Sequence, residues 1–135
     1  NVLYRLFGIS QPAGYHVALV ALHTISAGLV GVLAILLTGR RLAGVLALVF
    51  FGIHFTNVET AVWFGSIAEV LAGALGLAAV VSFITYRRNG RGYWLVLAVG
   101  WYALALSANP TAGPVGAVVI LFDLWRVPRR KWFTR

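Results

Sequence analysis

Few residues of this sequence have side chains suited to chemistry, and several of them lie in one short polar segment. Histidine and carboxylate groups bind divalent cations and transfer protons, and the candidates are His16, His23, His54, Glu59 and Glu69. The segment GIHFTNVETAVW, residues 52–63, separates two long apolar runs. It is therefore either part of a site or a loop between two helices.

The three histidines raise two alternatives, a ligand role or a structural role. His16 and His23 are seven positions apart, so they share one face of a helix. We expect His16 to lie at the level of His54 and Glu59, and these three residues form a candidate site for a divalent cation. His23 lies deeper and is a candidate ligand for a haem or chlorin. The alternative for each histidine is a hydrogen bond to a neighbouring helix or a lipid headgroup.

The three acidic residues matter because an ionisable group inside a membrane span is costly and is a functional candidate by default. Glu69 follows Glu59 by ten positions, about 15 Å along a continuous helix. Asp123 precedes Arg126 by three positions, and this spacing predicts an ion pair between them at the membrane boundary. Soluble-type motifs such as GxSxG, a P-loop, GxGxxG and HExxH do not occur, and the chain has no cysteine.

The composition that must position these residues is that of an integral membrane protein. The chain has 135 residues, of which 61% are hydrophobic and 10% are charged, far from the proportions of soluble domains. A soluble core of this size cannot bury so many apolar residues, so the excess is expected to face lipid.

Five apolar runs predict an all-α bundle of about five transmembrane helices forming a single domain. The second, fourth and fifth runs are short for a bilayer of about 30 Å and require snorkelling arginines or protein neighbours. The predicted helices cover residues 15–38, 41–57, 60–86, 93–108 and 112–125, followed by a basic tail at 126–135.

The basic residues predict the orientation of this bundle. The net charge is +8, and ten of the 11 basic residues fall in clusters at 40–41, 87–91 and 126–135. If all five runs cross the bilayer, these clusters share one side, which the positive-inside rule identifies as cytoplasmic. Glu59 then lies on the outer face. Orientation in the membrane thereby explains the positive charge, and we do not expect nucleic acid as a partner.

The order of several motifs resembles the GT-C superfamily of multi-spanning glycosyltransferases, especially protein O-mannosyltransferase-like members with tetratricopeptide repeats. PAGYHVALVALH (12–23) resembles the start of a helix after the first outer loop of that family. GRRLAGVLALVFFGIHFTNVETAVW (39–63) resembles a cytoplasmic turn, the next helix and a histidine-to-glutamate-to-tryptophan loop. The pair of segments LALSANP and VVILFDLW resembles the last matching helices.

This resemblance implies sugar transfer from a polyprenyl-phosphate donor at the outer face. It assigns Glu59, the acidic residue of the second outer loop, as the catalytic base or a metal ligand, with His54 and Trp63 flanking it and Glu69 behind it as substrate-binding residues. A divalent cation would neutralise the phosphate leaving group, and a carboxylate would accept a proton from the acceptor.

The sequence departs from the family pattern at positions that supply charge to the site. Residues 1–13 contain no acidic residue where the family has an acidic pair, and Ile67 replaces an arginine. The remaining departures are Phe55, Asn57, Ala108 and Asn109, which replace a proline, a histidine and a lysine-glutamate pair. We therefore expect this chain alone not to catalyse transfer.

Two further interpretations remain open. One is a non-catalytic scaffold or accessory subunit of a larger membrane complex, and the other is a subunit that contacts a pigment or haem through His16 or His23. Because it opens with NVLYRLFGIS, without methionine or a signal-peptide pattern, we expect it to be a portion of a longer sequence.

Overall fold

The computed structural model describes residues 12–54 and 67–126, and these residues are helical without any β-strand. The helices are α1 (Pro12–Thr38), α2 (Arg41–Ile53), α3 (Ile67–Asn89), α4 (Gly92–Ala108) and α5 (Gly113–Arg126), with a 3-10 turn at Pro110–Ala112. The prediction of an all-α fold is confirmed.

The helix bounds differ most from the prediction around the polar segment. α2 ends at Ile53, four residues before the predicted end, because His54 has an extended backbone (φ −64°, ψ 123°). The predicted start of the third helix, residues 60–66, lies outside the described residues. At its other end α3 continues to Asn89, three residues beyond the predicted end.

Two glycines make the tight turns that reverse the chain. Gly39 and Gly90 have φ values of 71° and 67°, a left-handed conformation in which glycine carries no steric penalty. The amide of Gly39 donates to the Ile35 carbonyl and that of Gly90 to the Tyr86 carbonyl, both at 2.8 Å. α1 and α2 therefore form one antiparallel hairpin, and α3 and α4 form another.

The two hairpins pack through α1 and α3, and α5 lies against α3 and α4. α1 and α3 are parallel, because Leu33 and Leu37 near the end of α1 line a common cleft with Val80 and Ile84 of α3. An ion pair between Arg87 and Asp123 places the end of α5 at the same level.

This arrangement collects the described arginines at one end of the bundle. Among residues 12–54 and 67–126, every arginine lies in the Gly39 turn, in the Gly90 turn or at the end of α3 or α5. We call this the arginine end, and it is formed by Arg40, Arg41, Arg87, Arg88 and Arg91. The predicted orientation of this end relative to a membrane stays a prediction.

The interior is built from small residues and the exterior from large apolar ones. The buried apolar side chains of the described residues are seven alanines with Leu19 and Ile84. In contrast, Val96 and Ile53 are each 72% exposed, and Val17 is 69% exposed. Soluble proteins have the opposite distribution. Helices in lipid pack through small residues because their large apolar side chains are already solvated by the bilayer.

Two pairs of small residues spaced four apart, Ala27 with Gly31 and Ala72 with Gly76, lie at these helix contacts. Gly31 is buried so closely against α2 that a Cβ on it would lie 3.1 Å from the Gly44 oxygen. Gly76 is buried against Val115 of α5, with a corresponding distance of 3.1 Å to Cγ2. Both pairs are therefore packing positions.

Two helices are long and apolar enough to cross a membrane. They are residues Gly14–Thr38 of α1 and the whole of α3, and only 22% and 33% of their most apolar windows are buried inside the protein. α2, α4 and the segment Pro110–Leu124 are apolar but shorter. The fold thus contains two candidate spans, and the five predicted crossings are not shown by it.

Candidate functional site

The predicted site residues are only partly within the described structure. His16, His23, His54 and Glu69 are described, whereas Glu59 and Trp63 lie in residues 55–66, outside the described residues. His54 ends α2 and Glu69 lies in the first turn of α3. Both positions are at the end of the bundle opposite the arginine end. His54 and Glu69 therefore lie at one end of the described bundle, on either side in sequence of the segment that contains Glu59.

His23 joins α1 to α2. Its Nε2 lies 3.2 Å from the carbonyl oxygen of Gly52, and the carbonyl can only accept, so Nε2 carries the proton. The ring also stacks on Phe51, with centroids 5.6 Å apart and planes inclined by 21°. These contacts agree with a structural role for His23, a hydrogen bond to a neighbouring helix. The haem or chlorin hypothesis remains a prediction, and it requires His23 to bind through Nδ1 or to exchange the Gly52 contact for a metal.

His54 lies closer to the level of His23 than to that of His16. Gly52 is opposite His23, and His54 follows Gly52 by only two residues. His16 precedes His23 by seven residues, about 10 Å further along the α1 axis. The pairing of α1 with α2 therefore does not place His16 and His54 at the common level that we expected from the sequence. The His54 ring instead lies 5.3 Å from that of Phe50.

A cation site is not complete within the described residues. No group of three or more histidine, cysteine, aspartate or glutamate side chains in the ranges 12–54 and 67–126 is arranged to hold a metal ion. The predicted set of His16, His54 and Glu59 includes a residue outside those ranges, so it remains a prediction. A site there would need ligands from the segment between α2 and α3.

Glu69 is exposed and lies in the first described turn of α3, two residues after Ile67. Residues 55–66 lie outside the described part of the chain, so the depth expected for Glu69 along a helix continuous with Glu59 stays a prediction.

Asp123 forms an ion pair that joins two helices. Its Oδ1 lies 2.9 Å from Nε of Arg87 on α3. The predicted pair with Arg126 stays a prediction, because the Arg126 side chain lies outside the described part of the chain. The contact lacks hydrogen-bond alignment and is therefore an ion pair only. Both side chains are at least a third exposed, so the pair contributes at most about 1 kcal/mol. The spacing of residues within one helix gives no information about a partner 36 positions away in the sequence.

Apolar clefts extend from the arginine end along α5. One, of about 180 Å³, lies between α3, α4 and α5, and its lining includes Phe83, Tyr102 and Val119. The Tyr102 hydroxyl donates to the Gly113 carbonyl at 3.0 Å, so it is satisfied within the protein. A second cleft, of about 110 Å³, lies between α1, α3 and α5 and shares Phe83 and Val119 with the first.

A third cleft, of about 220 Å³, opens at the arginine end. It is lined by Ile84, Arg87, Arg88 and Phe122. Ile84 and Phe122 also line the second cleft, so the charged and apolar cavities are adjacent. Sequence reasoning interpreted these arginines as orientation signals and did not predict a cavity between them.

Comparisons with protein families, with curated proteins and with solved structures find no significant match to this chain.

Proposed function

We propose that the chain is a multi-pass membrane module whose five helices all cross the bilayer. The small-residue interior and the exposed large apolar side chains support this placement. The collection of arginines at one end supports an orientation in which that end is cytoplasmic and the Glu59 segment is on the outer face.

The short helices are compatible with five crossings when their flanking residues are included. α2 has 13 residues and α5 has 14, about 20 Å each as helices. Arginine side chains at the arginine end extend the reach of both by snorkelling. Local bilayer thinning or neighbouring subunits accommodate the remaining mismatch.

For its function we propose a GT-C-like role, as the central membrane part of a glycosyltransferase that uses a polyprenyl-phosphate-linked sugar. The observation that supports it is the placement of His54 and Glu69, which lie at the end opposite the arginines and flank the Glu59 segment in sequence. In this role Glu59 binds a divalent cation or accepts a proton, and His54, Trp63 and Glu69 contact the donor.

Transfer requires further charged groups that this chain does not supply. Residues 1–13 contain no acidic residue where the family has its first-loop acidic pair, and the family's arginine and lysine positions are taken by Ile67 and Ala108. The module therefore binds donor lipid and depends on other membrane subunits or segments for catalysis.

An accessory role is the second candidate, and the exposure of α2 favours it. Within the described residues α2 packs on α1 and on no other helix. Its outward face carries Val45, Phe50 and Ile53, which are 57%, 68% and 72% exposed. A neighbouring subunit covering this face would make the chain a scaffold.

Photo-crosslinking of donor lipid distinguishes the two roles. The chain is reconstituted in nanodiscs with a photoreactive polyprenyl-phosphate sugar, with Mn²⁺ or with a chelator, and the labelled peptides are identified. The transferase role predicts Mn²⁺-dependent labelling within residues 52–69. Glu59→Gln removes a carboxylate ligand, so it should lower the amount of labelling about tenfold, as substitutions around a bound metal ion commonly do.

Asp123→Asn is the matched control, since it removes a carboxylate at the opposite end. Its labelling within residues 52–69 should equal that of the unmodified chain. Labelling that is independent of both Mn²⁺ and Glu59 would reject the transferase role and leave the accessory one.

A further inference from the structure

We propose that the cleft at the arginine end binds the phosphate of an anionic phospholipid, with an acyl chain in the adjoining apolar cleft. The inference rests on the proposed membrane placement but not on sugar transfer. It concerns the end of the bundle opposite Glu59, and a different lipid from the polyprenyl-phosphate donor.

The shape of the cavities supports a ligand with one charged and one apolar part. Arg87 and Arg88 line the charged cleft of about 220 Å³. Ile84 and Phe122 form its inner wall and continue into the cleft lined by Leu33, Leu37, Val80 and Val118. That second cleft has only apolar side chains, so it offers nothing to a free anion and suits an acyl chain.

The charge balance favours an anion. The carboxylates among the described residues are Glu69, at the opposite end, and Asp123, which is paired with Arg87. Arg88 is exposed at the cleft, so after the Arg87 and Asp123 charges cancel, one positive charge remains there. An arginine guanidinium binds phosphate oxygens through two parallel N–H groups, and basic pockets between membrane helices bind anionic headgroups.

The position of the cleft matches the depth of a headgroup. Arg88 lies one residue before the end of α3 at Asn89, and α3 is one of the two candidate spans. Because the apolar cleft runs from Arg88 toward the middle of α3, a phosphate at the cleft places its acyl chain parallel to the helices. This is the orientation that a bilayer lipid already has.

Native mass spectrometry of the full chain in neutral detergent micelles tests the proposal with added phosphatidylglycerol. Arg88→Gln is expected to weaken binding about fivefold, the loss of one arginine near a membrane surface. Arg91→Gln is the matched control, because Arg91 is exposed at the same end and does not line the cleft. Its binding should stay within about twofold of the unmodified chain.

Asp123→Asn provides a test in the opposite direction. Removing the carboxylate frees the Arg87 charge, so phosphatidylglycerol should bind about fivefold more tightly. Partial unfolding cannot mimic a gain of binding. Glu59→Gln should bind phosphatidylglycerol like the unmodified chain, which separates this proposal from the donor-lipid role.

Three outcomes would overturn the proposal. Equal losses in Arg88→Gln and Arg91→Gln would show general charge attraction without a site. Displacement of the lipid by an equal concentration of inorganic phosphate would show a free-anion site. Unchanged or weaker binding in Asp123→Asn would show that the Arg87 charge does not contribute.

Discussion

Gly44→Leu is expected to separate α2 from α1. A Cβ at this position would lie 2.7 Å from Cδ1 of Ile35 and 2.9 Å from the backbone oxygen of Gly31. The Ile35 side chain can move, but the Gly31 oxygen is part of the α1 backbone, so α1 and α2 must separate. We expect a loss of stability at or above the upper end of the range of about 1–3 kcal/mol for overpacking.

A disulfide reporter measures this separation directly. A Cβ on Gly52 would lie 3.8 Å from the Ala27 Cβ, which is the usual Cβ separation in a disulfide. The chain has no cysteine of its own, so the pair A27C and G52C reports on the hairpin without interference from other thiols. The disulfide should form readily in this double-cysteine variant and about tenfold more slowly when Gly44→Leu is added.

Gly28→Leu is the matched control for this experiment. It makes the same residue change in α1, where a Cβ would have nothing within 4 Å beyond its own helix. Disulfide formation should then be unchanged. Equal rates in the Gly44 and Gly28 variants would contradict the close approach of the two helices.

Ala72→Leu is expected to disrupt the second hairpin. Ala72 is 1% exposed and packs with Ala105 of α4 and Ala112 of the 3-10 turn, which are 0% and 5% exposed. Three added carbon atoms have no space there, so overpacking should destabilise the protein by about 1–3 kcal/mol. Titration of micellar protein with sodium dodecyl sulfate, followed by tryptophan fluorescence, measures the change.

Gly73→Leu is the control for this second variant. Gly73 is adjacent in sequence but exposed, and a Cβ there meets nothing within 4 Å. Its unfolding midpoint should be equal to or higher than that of the unmodified chain, since leucine favours helix more than glycine does. A lower midpoint in Gly73→Leu than in Ala72→Leu would show that the alanine cluster is not the core.

The helical segments were predictable because the length of an apolar run is a local signal. The run from Tyr15 appears as α1, and the gaps between predicted helices at 39–40 and 87–92 contain the turns at Gly39 and Gly90. The end of α2 was less predictable. His54 and Asn57 carry no strong helix-stop signal, yet the backbone at His54 is extended.

The pairings across helices were the least predictable feature. The i,i+3 spacing of Asp123 and Arg126 is a signal within one helix. The ion pair of Asp123 with Arg87 follows from how α5 packs against α3, which depends on small residues such as Gly76. Likewise the His23 contact with Gly52 follows from the hairpin register. Glu59 and Trp63, which carry the proposed donor site, remain predictions from sequence alone.

Side-specific labelling of single cysteines tests the central claim most directly. A membrane-impermeant maleimide is applied to either face of sealed vesicles containing Asn57→Cys, Asn89→Cys or Asn109→Cys. The account predicts that positions 57 and 109 react from one face and position 89 from the other. Reaction of positions 57 and 89 from the same face would contradict the five crossings and the placement of Glu59 opposite the arginine end.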